Sequence, residues 1–371
     1  MGDMKRYWVA FNRVHGIGAV RFAALLEHFG DLERAWEASS EALLASGIGP
    51  HTVRRLVESR TSIDPDDEME HLERAGVDVL TWLDEAYPPL LRQADNAPPV
   101  LYIRGRLEAA DHDAVAVVGT RRPTPYGQSA ARDIAATLAV HGVTVVSGLA
   151  RGIDAYAHHA ALEAGGRTLA VLGSGLDEIY PAEHRRLAEE IAAKGALLTD
   201  YALGTRPEAA NFPPRNRIIS GLARAVVVVE AGEESGALIT ARFAADQGRD
   251  VFAVPGSIYN RASRGTNRLI QEGATPLLTP DDVLTSLRTA PARASLTSED
   301  APSSDDPVEQ AILDCLGADP SHIDDVVARA GQPVPQVTAA LAMLELKGLI
   351  THVGSMHYVR AGGAARETES L

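Results

Sequence analysis

Two short apolar runs, each ending in a glycine turn that carries arginine, constrain this chain more than anything else in it. The first is Ala114-Val115-Ala116-Val117-Val118, followed by Gly119-Thr120-Arg121-Arg122. The second, Val143-Thr144-Val145-Val146, runs into Ser147-Gly148-Leu149-Ala150-Arg151-Gly152-Ile153-Asp154. Between them, residues 130–141 carry apolar side chains at helical spacing. Strand, glycine turn, helix, strand, glycine turn is the opening of a parallel sheet with helices on both faces. Ligands of such sheets collect beyond the carboxyl ends of the strands, where both turns fall. Glycine lets the backbone approach a ligand closely, and arginine adds a forked, permanent cation. The expected ligand therefore carries phosphate.

The same alternation continues downstream. A helix is expected over 155–164, a strand over 168–172 ending in Gly173-Ser174-Gly175, a helix over 185–194 and a strand over 196–199. Asn211-Phe212-Pro213-Pro214-Arg215-Asn216-Arg217 leads into a helix to 222. A strand follows over 226–230, where valines alone make a run that only burial on both faces favours. Helices over 236–246 and 266–272, a strand over 251–254 and a short one at 276–278 complete the pattern. Upstream, 77–82 and 98–105 read as extended pieces attached to the start of the sheet, with Tyr87-Pro88-Pro89 turning between them. The fold class expected is α/β, an extended Rossmann-like, mostly parallel sheet over 73–288.

Smaller modules flank it. Val14-His15-Gly16-Ile17-Gly18 and Ala45-Ser46-Gly47-Ile48-Gly49 form an internal repeat, each opening a helical pattern. Residues 1–72 thereby resemble a tandem helix-hairpin-helix, or SAM-like, helical domain, with Ile17 and Ile48 as plugs into its core. Residues 289–306 are Pro, Ser, Ala and acids without periodicity and read as a linker. Helices over 308–316, 321–330 and 334–348 with a hairpin over 349–359 make 307–360 a winged helix, Ser321 with Asp324 marking its second helix start. Its third helix holds only Lys347 as a cation, which is poor for DNA. A protein-contact or structural role is expected there, and 361–371 should be a disordered tail.

Charge and composition narrow the function. The formal charge is −15, but residues 113–290 hold 18 Lys and Arg against 19 Asp and Glu, so the acidity lies in the flanks. Within 204–224, Arg206, Arg215, Arg217 and Arg224 face only Glu208 in sequence, so a local basic patch on an acidic protein is expected. The single cysteine, Cys315, excludes an internal disulfide, and no zinc spacing surrounds it. No apolar run approaches ~18 residues, so no membrane span is expected and the protein should be cytoplasmic. No catalytic residue, metal site or cofactor is expected. No phosphate-loop run occurs, and Gly173-Ser174-Gly175 lacks a third glycine, position 178 being Glu. His158 and His159 are adjacent and point to different helix faces, and Ser147 has no evident base. What remains is arginine spaced through several strand-end turns, with Phe212 among them. The turn at 233–237 opens a helix, and Arg261, Arg264 and Gly265-Thr266-Asn267-Arg268 can add a fifth element. Several cations in separate loops suit a row of phosphates, and an aromatic among them suits base stacking, about 1–3 kcal/mol per base. Phe212 could equally be a core aromatic closing its helix, and the arginines could pair with Glu230, Glu233 or Glu234.

Several of these stretches resemble one known family. Val117-Val118-Gly119-Thr120-Arg121, the run from Ser147 to Asp154, and Phe212-Pro213-Pro214-Arg215-Asn216-Arg217-Ile218-Ile219-Ser220-Gly221-Leu222 are similar to motifs of the DNA-processing protein A (DprA/Smf) family. So are Ser235-Gly236-Ala237-Leu238-Ile239-Thr240-Ala241 and Gly265-Thr266-Asn267-Arg268-Leu269-Ile270, with Tyr87-Pro88-Pro89-Leu90-Leu91 and Pro98-Pro99-Val100-Leu101-Tyr102 upstream. The resemblance implies a non-enzymatic recombination mediator that protects single-stranded DNA, is a homodimer, and loads the RecA recombinase onto strands coated by single-strand-binding protein during natural transformation. Residue by residue, it implies strand contacts at Gly119, Thr120, Arg121, Ser147, Gly148, Arg151, Phe212, Arg215, Asn216 and Arg217. The alternative is a nucleotide-binding hydrolase of the lysine-decarboxylase-like (LOG) group, which shares the core. Its Pro-Gly-Gly-x-Gly-Thr-x-x-Glu turn is not matched by Glu230-Ala231-Gly232-Glu233-Glu234-Ser235-Gly236-Ala237. A third reading, a scaffold that binds only proteins, predicts no retardation of DNA at low salt.

Overall fold

The computed structural model describes residues 2–289, 306–316, 321–347, 349–352 and 356–360. The chain divides into two compact units, Met1–Leu287 and Arg288–Leu371.

The first unit is built on a nine-stranded sheet. Its strands are β1 (Asp78–Thr81), β2 (Val100–Gly105), β3 (Ala114–Val118), β4 (Thr144–Ser147), β5 (Thr168–Val171), β6 (Ala196–Thr199), β7 (Ala225–Val228), β8 (Asp250–Ala253) and β9 (Thr275–Pro276). Their order across the sheet is β1-β2-β6-β5-β4-β3-β7-β8-β9. β1 pairs antiparallel with β2, and β2 with β6; every other pairing is parallel. The chain starts its parallel part at β3, winds outward through β4, β5 and β6, then returns to β7 on the other side. β3 therefore pairs with both β4 and β7, in the registers Ala114↔Thr144 and Val115↔Ala225. The strand order reverses here, and such a reversal leaves a crevice beyond the strand ends. Strands β3 to β7 are buried at every position, which is why their sequences run apolar without alternation.

Helices cover both faces. Ile218, Ile219 and Leu222 from one helix and Ala237, Ala241 and Ala244 from the next pack on one side of the sheet. Ile134, Leu138, Ile153, Ala157 and Ala161 pack on the other. The helix Pro125–Val140 begins five residues before the apolar periodicity of 130–141 marks it. Thr124 caps it, accepting from the Gly127 amide at 3.3 Å, and Pro125 occupies its first turn, where a missing N–H costs nothing. The first turn is thus set by capping chemistry rather than by an apolar stripe.

The N-terminal helices share a core with the antiparallel edge of the sheet. Trp8, Phe11, Phe22 and Leu25 belong to one buried cluster with Val79, Tyr102, Leu172 and Leu197. Asn12 donates to the Tyr102 hydroxyl at 3.2 Å and to the Asp200 carbonyl at 3.0 Å. Ile17 and Ile48 are buried, as the repeat predicts.

In the second unit, helices Pro307–Cys315, Ile323–Ala330 and Val334–Leu346 pack around Ile312, Val326, Leu341 and Leu344. A small sheet of β10 (Ser321–His322), β11 (Ile350–His352) and β12 (His357–Arg360) runs in the order β10-β12-β11. This is the expected winged helix, with one correction. Ser321 does not open the second helix: it pairs in β10, and His322 is the cap, its Nδ1 accepting from the Asp324 amide at 3.3 Å. The lysine of the third helix end, Lys347, is paired with the largely buried Glu309 at 2.6 Å. The linker expected over 289–306 and the tail over 361–371 fall, apart from Thr289 and Asp306, outside the described residues.

Candidate nucleic-acid interface

A cavity of 740 Å³ opens at the strand reversal. The turn after β3 contributes Gly119, Thr120, Arg121 and Arg122, the helix Phe212–Gly221 contributes Phe212, Arg215 and Asn216, and the helix start after β7 contributes Ser235 and Thr240. The four strand-end turns do meet, but their backbone amides do not all face outward. Glu230, 1% exposed, lies at the N-terminus of the helix Pro125–Val140. Its carboxylate accepts from the Thr124 amide at 2.8 Å and the Thr124 hydroxyl at 2.7 Å, and its carbonyl from the Thr120 amide at 2.7 Å. That helix end is where a nucleotide phosphate sits in many α/β folds; here an internal carboxylate holds it. In the second turn, Asp154 accepts from the Gly148 amide at 3.1 Å and the Ala150 amide at 3.3 Å. Burial pushes the Asp154 carboxyl upward, opposed by nearby Arg215 and these amides. The expectation that both glycine turns offer these amides to phosphate is corrected accordingly: buried polar groups need partners, and the fold supplies them from within.

The predicted side chains separate into two sets. Ser147 is fully buried, its hydroxyl donating to the Val117 carbonyl at 2.7 Å, so it joins β4 to β3 beneath the cavity. Arg215 forms part of the wall but is only 4% exposed. It donates to the Gly148 carbonyl at 2.8 Å and to the Val171 carbonyl, tying together the ends of β4 and β5. Burial pulls its pKa down to about 10, against the pull of Asp154. Gly148 is glycine because a Cβ there would lie 2.7 Å from the Arg215 guanidinium and 2.8 Å from the Asp154 carboxylate. Arg217 lies outside the cavity lining: it donates to Asn96 O at 2.9 Å and Pro214 O at 3.2 Å, and pairs with Asp200 at 2.8 Å. Arg224 pairs with Asp113 at 2.6 Å. The basic patch expected over 204–224 therefore does not form. The spacing brought these arginines together in sequence, while the fold turned three of them to separate structural partners and left Arg206 exposed.

The second set gathers at the mouth. Arg121 is exposed, its guanidinium carbon 5.6 Å from the Phe212 ring centroid, with that of Arg215 at 5.8 Å. Phe212 is half-buried: it rests against Gly173, where a Cβ would lie 2.9 Å from the ring, and also lines the cavity. Tyr180, 41% exposed, lies 5.7 Å from Phe212 at 47° between ring planes. Arg151 sits 6.0 Å over Tyr180 and pairs with Glu183 at 2.5 Å, both half in solvent. Asn216 accepts from Arg215 at 3.3 Å and donates to the Gly236 carbonyl at 3.3 Å, which orients it along the wall. Tyr180 is a lining residue that sequence reasoning missed, while Arg122, Ser235 and Thr240 lie in turns and motifs it quoted without being among the expected strand contacts. For Tyr180 a signal existed: it lies in the long connection after β5, which must also emerge at the strand ends. Two exposed cations beside two aromatic rings, around a mostly uncharged cavity, can neutralise backbone phosphates and stack bases. Among the described residues no group of His, Cys, Asp and Glu could hold a metal ion, and no helix is long and apolar enough to cross a membrane.

Comparison with known proteins follows the same lines. Residues 78–288 match the family model for DNA recombination-mediator protein A, and residues 297–354 match that for the DprA winged helix domain. Protein Smf of Synechocystis sp. is 38% identical over 390 residues, spanning 95% of this chain and 98% of its own. The structure of DNA processing protein A from Streptococcus pneumoniae matches with a TM-score of 0.67 at 36% identity, covering 76% of this chain and 97% of that one. DNA processing protein A from Helicobacter pylori, solved to describe its single-stranded DNA binding mode, matches with a TM-score of 0.52 at 30% identity, over 58% of this chain and 96% of that one.

Proposed function

The chain belongs to the DNA recombination-mediator protein A family, and from that premise we propose that its switch-point groove binds single-stranded DNA without sequence preference. The observation that carries this reading is Arg121, exposed and set against Phe212 and Tyr180 at the cavity mouth. Arg121 and Arg151 meet phosphates, Phe212 and Tyr180 stack bases, and Gly119, Thr120 and Asn216 line the path. Ser147, Gly148, Arg215 and Arg217 shape the groove from behind. The strand would be protected while bound, as incoming DNA requires during natural transformation. Loading of RecA onto strands coated by single-strand-binding protein, and a cytoplasmic homodimer that puts two grooves on one strand, extend the same reading. It needs no chemistry from the protein. The nucleotide-hydrolase alternative draws less support, because Glu230 holds the helix end a nucleotide phosphate would use.

The test is fluorescence anisotropy of a labelled thymidine oligonucleotide over a range of salt. Arg121→Ala should weaken binding several-fold for every sequence and lower the magnitude of the salt slope by about 0.7, one phosphate contact for a single strand. Unchanged affinity and slope would remove the groove from consideration.

A further inference from the structure

The most exposed large apolar side chains beside the groove lie in the loop after β8. Tyr259 is 89% exposed and Ile258 73%. The loop is anchored at both ends to the elements that form the groove. At its start, the Tyr126 hydroxyl, on the helix that follows the Arg121 turn, donates to the Pro255 carbonyl at 3.0 Å. At its end, the Gly265 amide donates to the Ala231 carbonyl at 2.8 Å, next to Gly232 of the cavity wall. Asn267 pins the base from both directions, accepting from the Gly256 amide at 3.1 Å and donating to the Gly256 carbonyl at 3.0 Å. The tip is thus a short projection on a fixed base, and little freedom is left to lose on binding. Arg261 and Arg264 follow it in the chain, both exposed and neither in an ion pair among the described residues. Tyr126, 53% exposed, adds a second aromatic near the loop's base. The charge is mixed, since Glu233 and Glu234 are exposed on the neighbouring turn. Stacking, which tolerates any base, must then contribute more here than phosphate contact.

Resting on the reading of the groove as a single-strand site, we infer that residues 256–264 form a second nucleotide-binding shelf, on which bases leaving the cavity stack against Tyr259 while Arg261 and Arg264 neutralise their phosphates. An exposed tyrosine followed closely by two exposed arginines, on a loop anchored to the groove's own elements, has the chemistry of a stacking platform for single strands. It would lengthen the strand footprint beyond what the cavity alone holds.

The experiment compares a thymidine tetranucleotide with a decanucleotide, each titrated with the full chain. Tyr259→Ala should weaken the decanucleotide about tenfold, the scale of one lost stacking contact, and separately the double change Arg261→Gln and Arg264→Gln should weaken it by less and lower the magnitude of its salt slope by about 1.4, two phosphate contacts. The tetranucleotide should be held as tightly as by the unmodified protein, and Tyr259→Phe should restore decanucleotide binding because the ring face remains. A decanucleotide bound equally well by both variants overturns the shelf. An unmodified protein that binds neither length overturns the groove itself, so the two failures are distinct.

Discussion

At the scale of single residues, burial decides what each polar group can do. Arg121 and Arg215 are the same residue type 5.6 and 5.8 Å from one ring, yet one is exposed and the other is held by two carbonyls. His158 shows the same effect on a titrating group. It is fully buried, with Nδ1 2.7 Å from the Thr168 hydroxyl. That hydroxyl donates its own proton to the Val145 carbonyl, so it must accept from histidine, and Nδ1 carries the hydrogen. Nε2 is left buried without a partner. Burial, aided by the neighbouring His159, His184 and Arg215 charges, pulls its pKa down to about 3. The unfolded chain binds a proton at the usual histidine pKa of about 6.5. Between these values the unfolded state holds more protons, so stability is complete above about pH 6.5 and falls as the pH drops towards 3. Urea unfolding at pH 5 should show about 2 kcal/mol less stability from this residue than at pH 7.5. His158→Gln should flatten that dependence; the same slope in the variant would contradict the assignment.

At the scale of elements, Arg217 joins three of them. It links the helix Phe212–Gly221 to Asp200 just beyond β6 and to Asn96 before β2. The second oxygen of Asp200 is buried without a hydrogen bond, so this carboxylate depends on Arg217 for compensation. Arg217→Met should cost about 2–4 kcal/mol in chemical unfolding, the penalty for stranding a largely buried charge. The affinity of the folded variant for a thymidine oligonucleotide should fall far less than that of Arg121→Ala. Equal losses would mean Arg217 touches the strand after all. From the sequence, Arg121, Arg215 and Arg217 were indistinguishable: all are arginines in turns at strand ends. Their separation depends on which carbonyls and carboxylates come within reach after folding, and spacing along the chain does not encode that. Glu230 was legible only as a possible arginine partner. Its actual partner, Thr124, lies 106 residues away and caps a helix whose first turn has no apolar signature.

At the scale of the whole molecule, the excess acidity lies outside residues 113–290. In the second unit Lys347 is paired with Glu309, and the exposed Arg329 shares its helix with the exposed Asp324 and Asp325. A chain ending after residue 289 should bind a thymidine oligonucleotide within about twofold of the full chain and with the same salt slope. A slope smaller in magnitude by one contact or more would place cations of the second unit on the strand.

Sequence alone determined the order of strands and helices along the chain, the α/β class, the strand-end position of the turns that line the cavity and the buried plugs Ile17 and Ile48. Those properties follow from local periodicity, turn chemistry and the apolar runs that only a doubly covered strand tolerates. Tertiary structure alone decided which cations remain free. The two turns at 119–122 and 147–154 predicted a phosphate site through their glycines and amides. Folding filled the amides of Gly148 and Ala150 with the Asp154 carboxylate and that of Thr120 with the Glu230 carbonyl, and left Arg121 beside Phe212 and Tyr180 as outward-facing chemistry. The physical reason is that a buried hydrogen-bonding group takes whichever partner the fold brings near: Asp154 is a local partner, four and six residues from the amides it holds, whereas only the assembled sheet brings Glu230 to the turn after β3 and Phe212 to Arg121.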